Sequence, residues 1–273
     1  MPPSTERQGE LDERARAFYL RTLGLLADSG IPFLVGGAYA LNHYTGIERH
    51  TKDFDLFVRR ENYGDVMDVL GKSGIATELT FPHWLGKASC EHGCIDVIFS
   101  SGNGLAQVDE GWFTHAVAGS VLGVAARLCP PEEMIWSKAF ITERERYDGA
   151  DIMHLLLACA ERLDWRRLLA RFDPHWRVLL SYLNLFGFVY PSERARIPAW
   201  VMTDLIERLR RELRLPAPAR RVCQGTLLSR EQYLTDVGMW GFEDARVTVA
   251  GSMTVDEVAH WTRAIDDSSP KAP

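Results

Sequence analysis

Apolar positions in the first half of the chain switch repeatedly between two periods, one that suits a helix and one that suits a strand. From Leu11 to about Asp28, residues Phe18, Leu20, Leu23, Leu25 and Leu26 recur at helical spacing, and Ser29 with Gly30 supplies a helix stop. The next apolar run, Ile31 to Val35, is short and closes on Gly36 and Gly37, which predicts a strand; residues 38–45 read as a short helix. Asp53 to Val58 alternates charged and apolar residues in the manner of a half-buried strand. Glu61 to Lys72 then returns to helical register through Val66, Met67, Val69 and Leu70. Residues 77–100 are rich in Thr, Phe, Trp, Ile and Val and are interrupted at His92 and Gly93. They predict strands near 77–81, 84–90 and 94–100, with a further strand near 121–128.

Beyond Cys129 the pattern changes. The run CPPEE, from Cys129 to Glu133, has the prolines and acids of a helix start, and strand signals fade until about residue 222. Helices are expected near 131–144, 149–162, 164–171, 175–188 and 198–214. The predicted fold class is α/β of the α+β kind: a mixed sheet covered by helices over residues 11–128, followed by an α-helical domain over 129–265. The polar ends, 1–10 and 266–273, are expected to be flexible tails. A chain of 273 residues has room for two such lobes.

Composition narrows the function classes. With 46% apolar and 25% charged residues the chain can bury a core, which excludes a disordered protein. A net charge of −6 excludes adhesion of the whole surface to nucleic acid or anionic lipid. The charge is nevertheless uneven, since residues 160–221 hold 13 arginines, no lysine and 7 acids. The helical lobe is therefore basic, and an RNA or other anionic acceptor could use it. Five cysteines, an odd number, and a start (MPPSTERQGELDER) without an apolar core point to a reduced, cytoplasmic protein. The longest stretch free of Asp, Glu, Lys and Arg, Ser29 to Ile47, is broken by Pro32 and four glycines, so no membrane span is expected. The run CEHGC, from Cys90 to Cys94, lacks the second ligand pair that a structural zinc site needs.

The candidate chemistry lies in three pieces: FLVGGAYAL from Phe33, RHTKDFDL from Arg49, and IDVIF from Ile95. On an extended strand Asp53 and Asp55 share one face, while Phe54 and Leu56 point into the core. Asp96, between Ile95 and Val97, can join the pair if the two strands are near neighbours. Three ionised carboxylates repel one another unless water, shared protons or cations intervene, and hard Mg²⁺ ions prefer oxygen donors of this kind. The glycines between strand and helix allow backbone amides to approach a phosphate at a helix N-terminus.

Strand, Gly-Gly, helix, Asp-apolar-Asp and a later Asp, in that order, resemble the nucleotidyltransferase superfamily typified by the DNA polymerase beta palm, over roughly residues 30–100. The resemblance implies that Asp53, Asp55 and Asp96 are catalytic and hold two Mg²⁺ ions, with Asp96 also helping to deprotonate the incoming hydroxyl. It implies that Gly36 and Gly37 line the triphosphate of an NTP and that Arg49, Thr51 and Lys52 lie where phosphate contacts occur. GIPFLVGGAYA, with Gly46 and Arg49, looks like the aminoglycoside and lincosamide adenylyltransferases. PEEMIWSK and YDGAD look like the nucleotidyltransferase toxins of abortive-infection type IV toxin-antitoxin systems, which implies a phosphate contact for Lys138 and a place in the site for Asp148 or Asp151. Ala40 and Leu41 depart from the Arg-Asp of tRNA CCA-adding enzymes. The expected activity is Mg²⁺-dependent transfer of a nucleoside monophosphate to an acceptor hydroxyl on RNA such as tRNA, on protein or on a small-molecule antibiotic. The toxin-like branch adds an antitoxin as partner. A nucleotide-binding interaction module without transfer activity is the alternative of another class.

Overall fold

The computed structural model describes residues 11–49, 51, 53–248 and 251–268, with side chains described as far as Arg263. The chain divides into two compact units: Met1–Ser101 with Gln107–Pro130, and Gly102–Ala106 with Pro131–Pro273.

The first unit is a mixed sheet with helices. In chain order it contains α1 (Glu13–Ser29), β1 (Leu34–Val35), α2 (Gly37–Thr45), β2 (Asp53–Phe57), α3 (Tyr63–Lys72), β3 (Ala76–Phe81), β4 (Leu85–Cys90), β5 (Gly93–Ile98), α4 (Glu110–Thr114), β6 (Val117–Val121) and β7 (Val124–Leu128). Among the described residues the strands form one seven-stranded sheet in the order β3-β4-β5-β2-β1-β7-β6. Two pairs are parallel, β2 with β5 and β1 with β7; the others are antiparallel. Phe54 and Leu56 are fully buried, as are Val97 of β5, Leu34 and Val35 of β1, and Leu128 of β7. Phe54 packs between Tyr19 of α1, with ring centres 5.0 Å apart, and Tyr39 of α2, at 4.6 Å. Burial of one strand face in this way fixes the register, because a slip of one residue would turn the acids inward.

Two expectations for this unit are corrected, and one unassigned stretch is filled. Of the run Ile31 to Val35, only Leu34 and Val35 are strand; they pair with Phe57 and Leu56. Pro32, just before them, has no N–H to give to a ladder. The single strand expected near 121–128 is the second arm of a hairpin whose first arm, β6, the sequence hides behind Gly119 and Ser120. Leu122 and Gly123 turn the corner with positive φ, 53° and 89°, which matches the twist of the flanking strands. The short helix α4 replaces what the apolar pattern leaves unassigned; Asp109 caps it by accepting from the Gly111 N–H at 2.9 Å.

The second unit is mainly helical: α5 (Pro131–Lys138), α6 (Gly149–Cys159), α7 (Trp165–Phe172), α8 (Trp176–Val189), α9 (Ala199–Glu212), then β8 (Val222–Cys223), α10 (Leu234–Gly238), β9 (Glu243–Asp244) and α11 (Val255–Ser268). Helix α5 stops at Lys138, short of the expected 144, because the chain folds back and Thr142 bridges to Tyr147. Residues 222–244 are not helical throughout, since β8 and β9 pair in parallel. Next to them Arg246 is fully buried and held by Asp244, with Nη2 to Oδ2 at 2.6 Å. The segment Gly102–Ala106 belongs here too: Asn103 donates to the Leu227 carbonyl at 2.7 Å, and Ser252 donates to the Gly104 carbonyl at 2.6 Å. Helix α11 continues to Ser268, into the stretch expected to be a tail. No helix of the described residues is long and apolar enough to cross a membrane.

The strongest ionic feature of this unit joins α5 to α7. Glu133 is 0% exposed, and both its oxygens accept from Arg167 Nη1 at 2.5 Å, with Arg171 Nε at 3.1 Å from one of them. Its neighbour Glu132 accepts from the backbone N–H of Asp164 at 2.6 Å, and Asp164 in turn caps α7 through the Arg167 N–H.

Candidate functional site

The sequence places Asp53 and Asp55 two residues apart on β2, and the parallel pairing of β2 with β5 decides what stands beside them. Asp55 is opposite Asp96, and Asp53 is opposite Cys94. All four side chains therefore share the face of the sheet that Phe54 and Leu56 do not use. The next residue on that face, Phe57, stacks on Trp112 of α4 with ring centres 5.2 Å apart, which makes an apolar boundary at that end of the strand. Asp53, Cys94 and Asp96 bring ligand atoms within 4.8 Å of one another.

Gly36 and Gly37 stand where β1 passes into α2. The Gly36 N–H donates to the Asp55 carbonyl at 3.0 Å, so the turn is tied to β2. Gly37 has φ +52°, and a Cβ built on it would lie 1.7 Å from Asp55 Oδ2. A glycine is thus required twice over at this residue, by backbone conformation and by the carboxylate lying against its Cα. Gly37→Ala should displace the Asp55 carboxylate and cost about 1–2 kcal/mol for the left-handed backbone alone. A thermal melt and an assay of any activity that depends on Asp55 would show both losses. Unchanged values would mean that the close approach has no role.

Two further neighbours of the acids are not linked to them by the local sequence pattern. Lys87, on β4 directly opposite Asp96, donates to Asp96 Oδ1 at 2.6 Å and lies 3.9 Å from Cys94 Sγ. Burial acts to lower the pKa of this ammonium, but the hydrogen bond and charge of Asp96, with Cys94 and Asp53 behind them, outweigh it and hold the pKa above its ordinary value. Cys94 is the other. Burial chiefly, with the charges of Asp96 and Asp53, pushes its thiol up to about 11 despite Lys87. Cys94 is therefore a neutral thiol at pH 7. Its alkylation by iodoacetamide should stay slow at pH 8 and climb as the pH approaches 11, as peptide mass spectrometry of the modified protein would report. Tyr19, beneath β5, is pushed up to about 12 by burial, with Tyr39 and Asp53 adding to the effect.

Of the other expected site residues, Arg49 is exposed in the loop before β2, and Lys52 lies outside the described residues. Thr51 is occupied locally: its hydroxyl donates to the Asp53 carbonyl at 2.8 Å and accepts from the Asp53 N–H at 3.2 Å, which steadies the start of the acidic strand. Lys138, Asp148 and Asp151 belong to the second unit and form an ion cluster there. Lys138 Nζ lies 2.7 Å from Asp148 and 2.9 Å from Asp151. Burial acts to raise the Asp148 carboxyl, but Lys138 and Arg146 outweigh it and hold it below its ordinary value. Position alone hides Lys87 and Cys94 in the sequence; once β4 and β5 are paired across the His92–Gly93 turn, the register exposes both.

No family model and no curated protein sequence matches the chain. Solved structures similar to it include the antibiotic-resistance factor ANT(2'')-Ia, at 18% identity and a TM-score of 0.43 over 62% of this chain and 96% of that one. Another is the lincosamide antibiotic adenylyltransferase LnuA bound to lincomycin, at 16% identity and a TM-score of 0.38 over 54% of this chain and 98% of that one. A third is the Megavirus polyadenylate synthase, at 15% identity and a TM-score of 0.38 over 55% of this chain and 32% of that one.

Proposed function

We propose that this chain transfers a nucleoside monophosphate from an NTP to an acceptor hydroxyl and releases pyrophosphate. One observation carries the reading: a strand-to-helix glycine turn pressed against the Asp55 carboxylate, with Asp53 and Asp96 on the same sheet face. The turn and the acids are complementary halves of one site. The backbone amides at the start of α2 take the negative charge of the triphosphate, since a helix N-terminus presents unpaired N–H groups and a favourable dipole. The carboxylates of Asp53 and Asp55 offer the oxygen donors that a hard divalent cation prefers. They would hold Mg²⁺, which when bound neutralises phosphate charge and polarises the α-phosphoryl group.

The acceptor oxygen attacks the α-phosphorus, and the bond from that phosphorus to the bridging oxygen of the β-phosphate breaks. The hydroxyl proton passes to the Asp96 carboxylate, and pyrophosphate leaves with the electron pair. Lys138, Asp148 and Asp151, for which the resemblance implies a phosphate contact and a place in the site, form an ion cluster in the second unit, and Lys138 would meet phosphate from there.

The test is label transfer from each of the four NTPs, labelled on the α-phosphate, in a bacterial lysate with Mg²⁺, using wild type and an Asp53→Asn/Asp55→Asn variant. Separating the products into RNA, protein and small-molecule fractions identifies the acceptor class. A labelled product that the variant does not form supports the reading. NTP binding with no transfer would replace it with a nucleotide-binding module.

A further inference from the structure

The proposed chemistry leaves Lys87 without a role, yet this lysine has the most consequential position of any group near the acids. Asp53, Cys94 and Asp96 form a triangle of candidate donors within 4.8 Å of one another. A cation is already there. Lys87 Nζ is 2.6 Å from Asp96 Oδ1 and 3.9 Å from Cys94 Sγ, and its charge also interacts with Asp53. The ammonium is tethered by β4, whose register with β5 sets Lys87 opposite Asp96. Both side chains are largely sheltered, at 34% and 15% exposure, so solvent screens the pair only in part.

We propose that Lys87 takes the place of a second metal ion, so that the site holds one divalent cation, on Asp53 and Asp55, and a protein-borne ammonium on Asp96. This rests on the nucleotidyl-transfer reading. A metal ion that bound Asp96 would have to displace a short charge-assisted hydrogen bond and then lie beside a like charge. The ammonium supplies part of the neutralisation that three clustered carboxylates need, without an ion that must be captured from solution. Lys87 is a positioning residue in this scheme: it holds the Asp96 carboxylate turned toward β4 and out of the metal's coordination shell.

The experiment counts bound Mn²⁺ by electron paramagnetic resonance, with saturating α,β-methylene analogues of the four NTPs, which resist cleavage at the reacting bond. It uses wild type, Lys87→Met and Lys87→Met/Asp96→Asn. The expected result is one Mn²⁺ per chain in wild type, two in Lys87→Met, and one again in the double variant, where the second ion loses its ligand. Two ions in wild type would overturn the inference without any need for a variant. One ion in both wild type and Lys87→Met would also overturn it, because Lys87 would then not be what excludes the second. No bound Mn²⁺ in wild type with any analogue would remove the nucleotidyl-transfer reading itself and this inference with it, an outcome distinct from a count of two.

Discussion

Under the proposed nucleotidyl transfer, Asp53→Asn and Asp55→Asn should each slow the reaction on the order of a thousandfold, about 4 kcal/mol of transition-state stabilisation, because each would remove an anionic ligand from the cation proposed to neutralise the transferring phosphate. Asparagine keeps the shape of aspartate, so the core face of β2, carried by Phe54 and Leu56, is untouched. The amide introduced by Asp55→Asn would still lie against Gly37, where the carboxylate now does. Folding is therefore expected to survive, because neither substitution touches the buried face of β2. The measurement is kcat/KM for the acceptor identified by label transfer, beside a thermal melt of each variant. Activity within about tenfold of wild type in a folded variant would remove the carboxylate from the mechanism.

The second large effect is structural and lies in the helical unit. Glu133→Ala should destabilise that unit by about 3–5 kcal/mol, the usual cost of breaking a buried ion pair by removing one partner. Glu133 is sealed from solvent and is the acceptor for both Arg167 and Arg171. Without it two guanidinium groups crowd a small space with Glu132 left to balance them. Arg171 would keep its stacking over Trp136, at 5.2 Å, and that contact limits the loss rather than cancelling it. Chemical denaturation read by tryptophan fluorescence tests this. If Glu133→Gln, which keeps the volume and removes only the charge, proved as stable as wild type, loss of packing volume rather than an unpaired charge would be the cause.

The parts of this molecule that are legible in the sequence are those written in local pattern. The alternation from Asp53 to Phe57 specifies both the strand and its two faces, and the burial of Phe54 and Leu56 bears out the assignment. The glycines at 36 and 37 mark the end of β1 and the start of α2. Asp96 can be named as a neighbour of the acid pair because an acid set between Ile95 and Val97 on a strand needs a polar or ionic partner to offset its burial. What stays hidden depends on pairing across the sheet. Lys87 in LGKASC reads as an ordinary solvated strand residue until the hairpin places it opposite Asp96. The end of α5 is obscured because the residues after Lys138 keep a helix-like composition, whereas a fold-back that bridges Thr142 to Tyr147 competes with helix and wins. Helix α11 runs on into the polar stretch DDSSPKAP, which hides its end; among its described side chains Trp261, buried against Arg246, is an anchor.

The parallel pairing of β2 with β5 has a kinetic meaning as well. Neighbouring parallel strands cannot be joined by a tight turn. Here the connection runs through α3, β3 and β4 before the chain returns to lie beside β2. Asp55 and Asp96 consequently meet only after a long loop has closed, a non-local step whose entropic cost slows folding. A nascent or partly folded chain carries every acid of the site but not their apposition. On the proposed reading the activity is acquired with the completed sheet, and a chain cut short before β5 keeps Asp53 and Asp55 but has no Asp96 to set beside them.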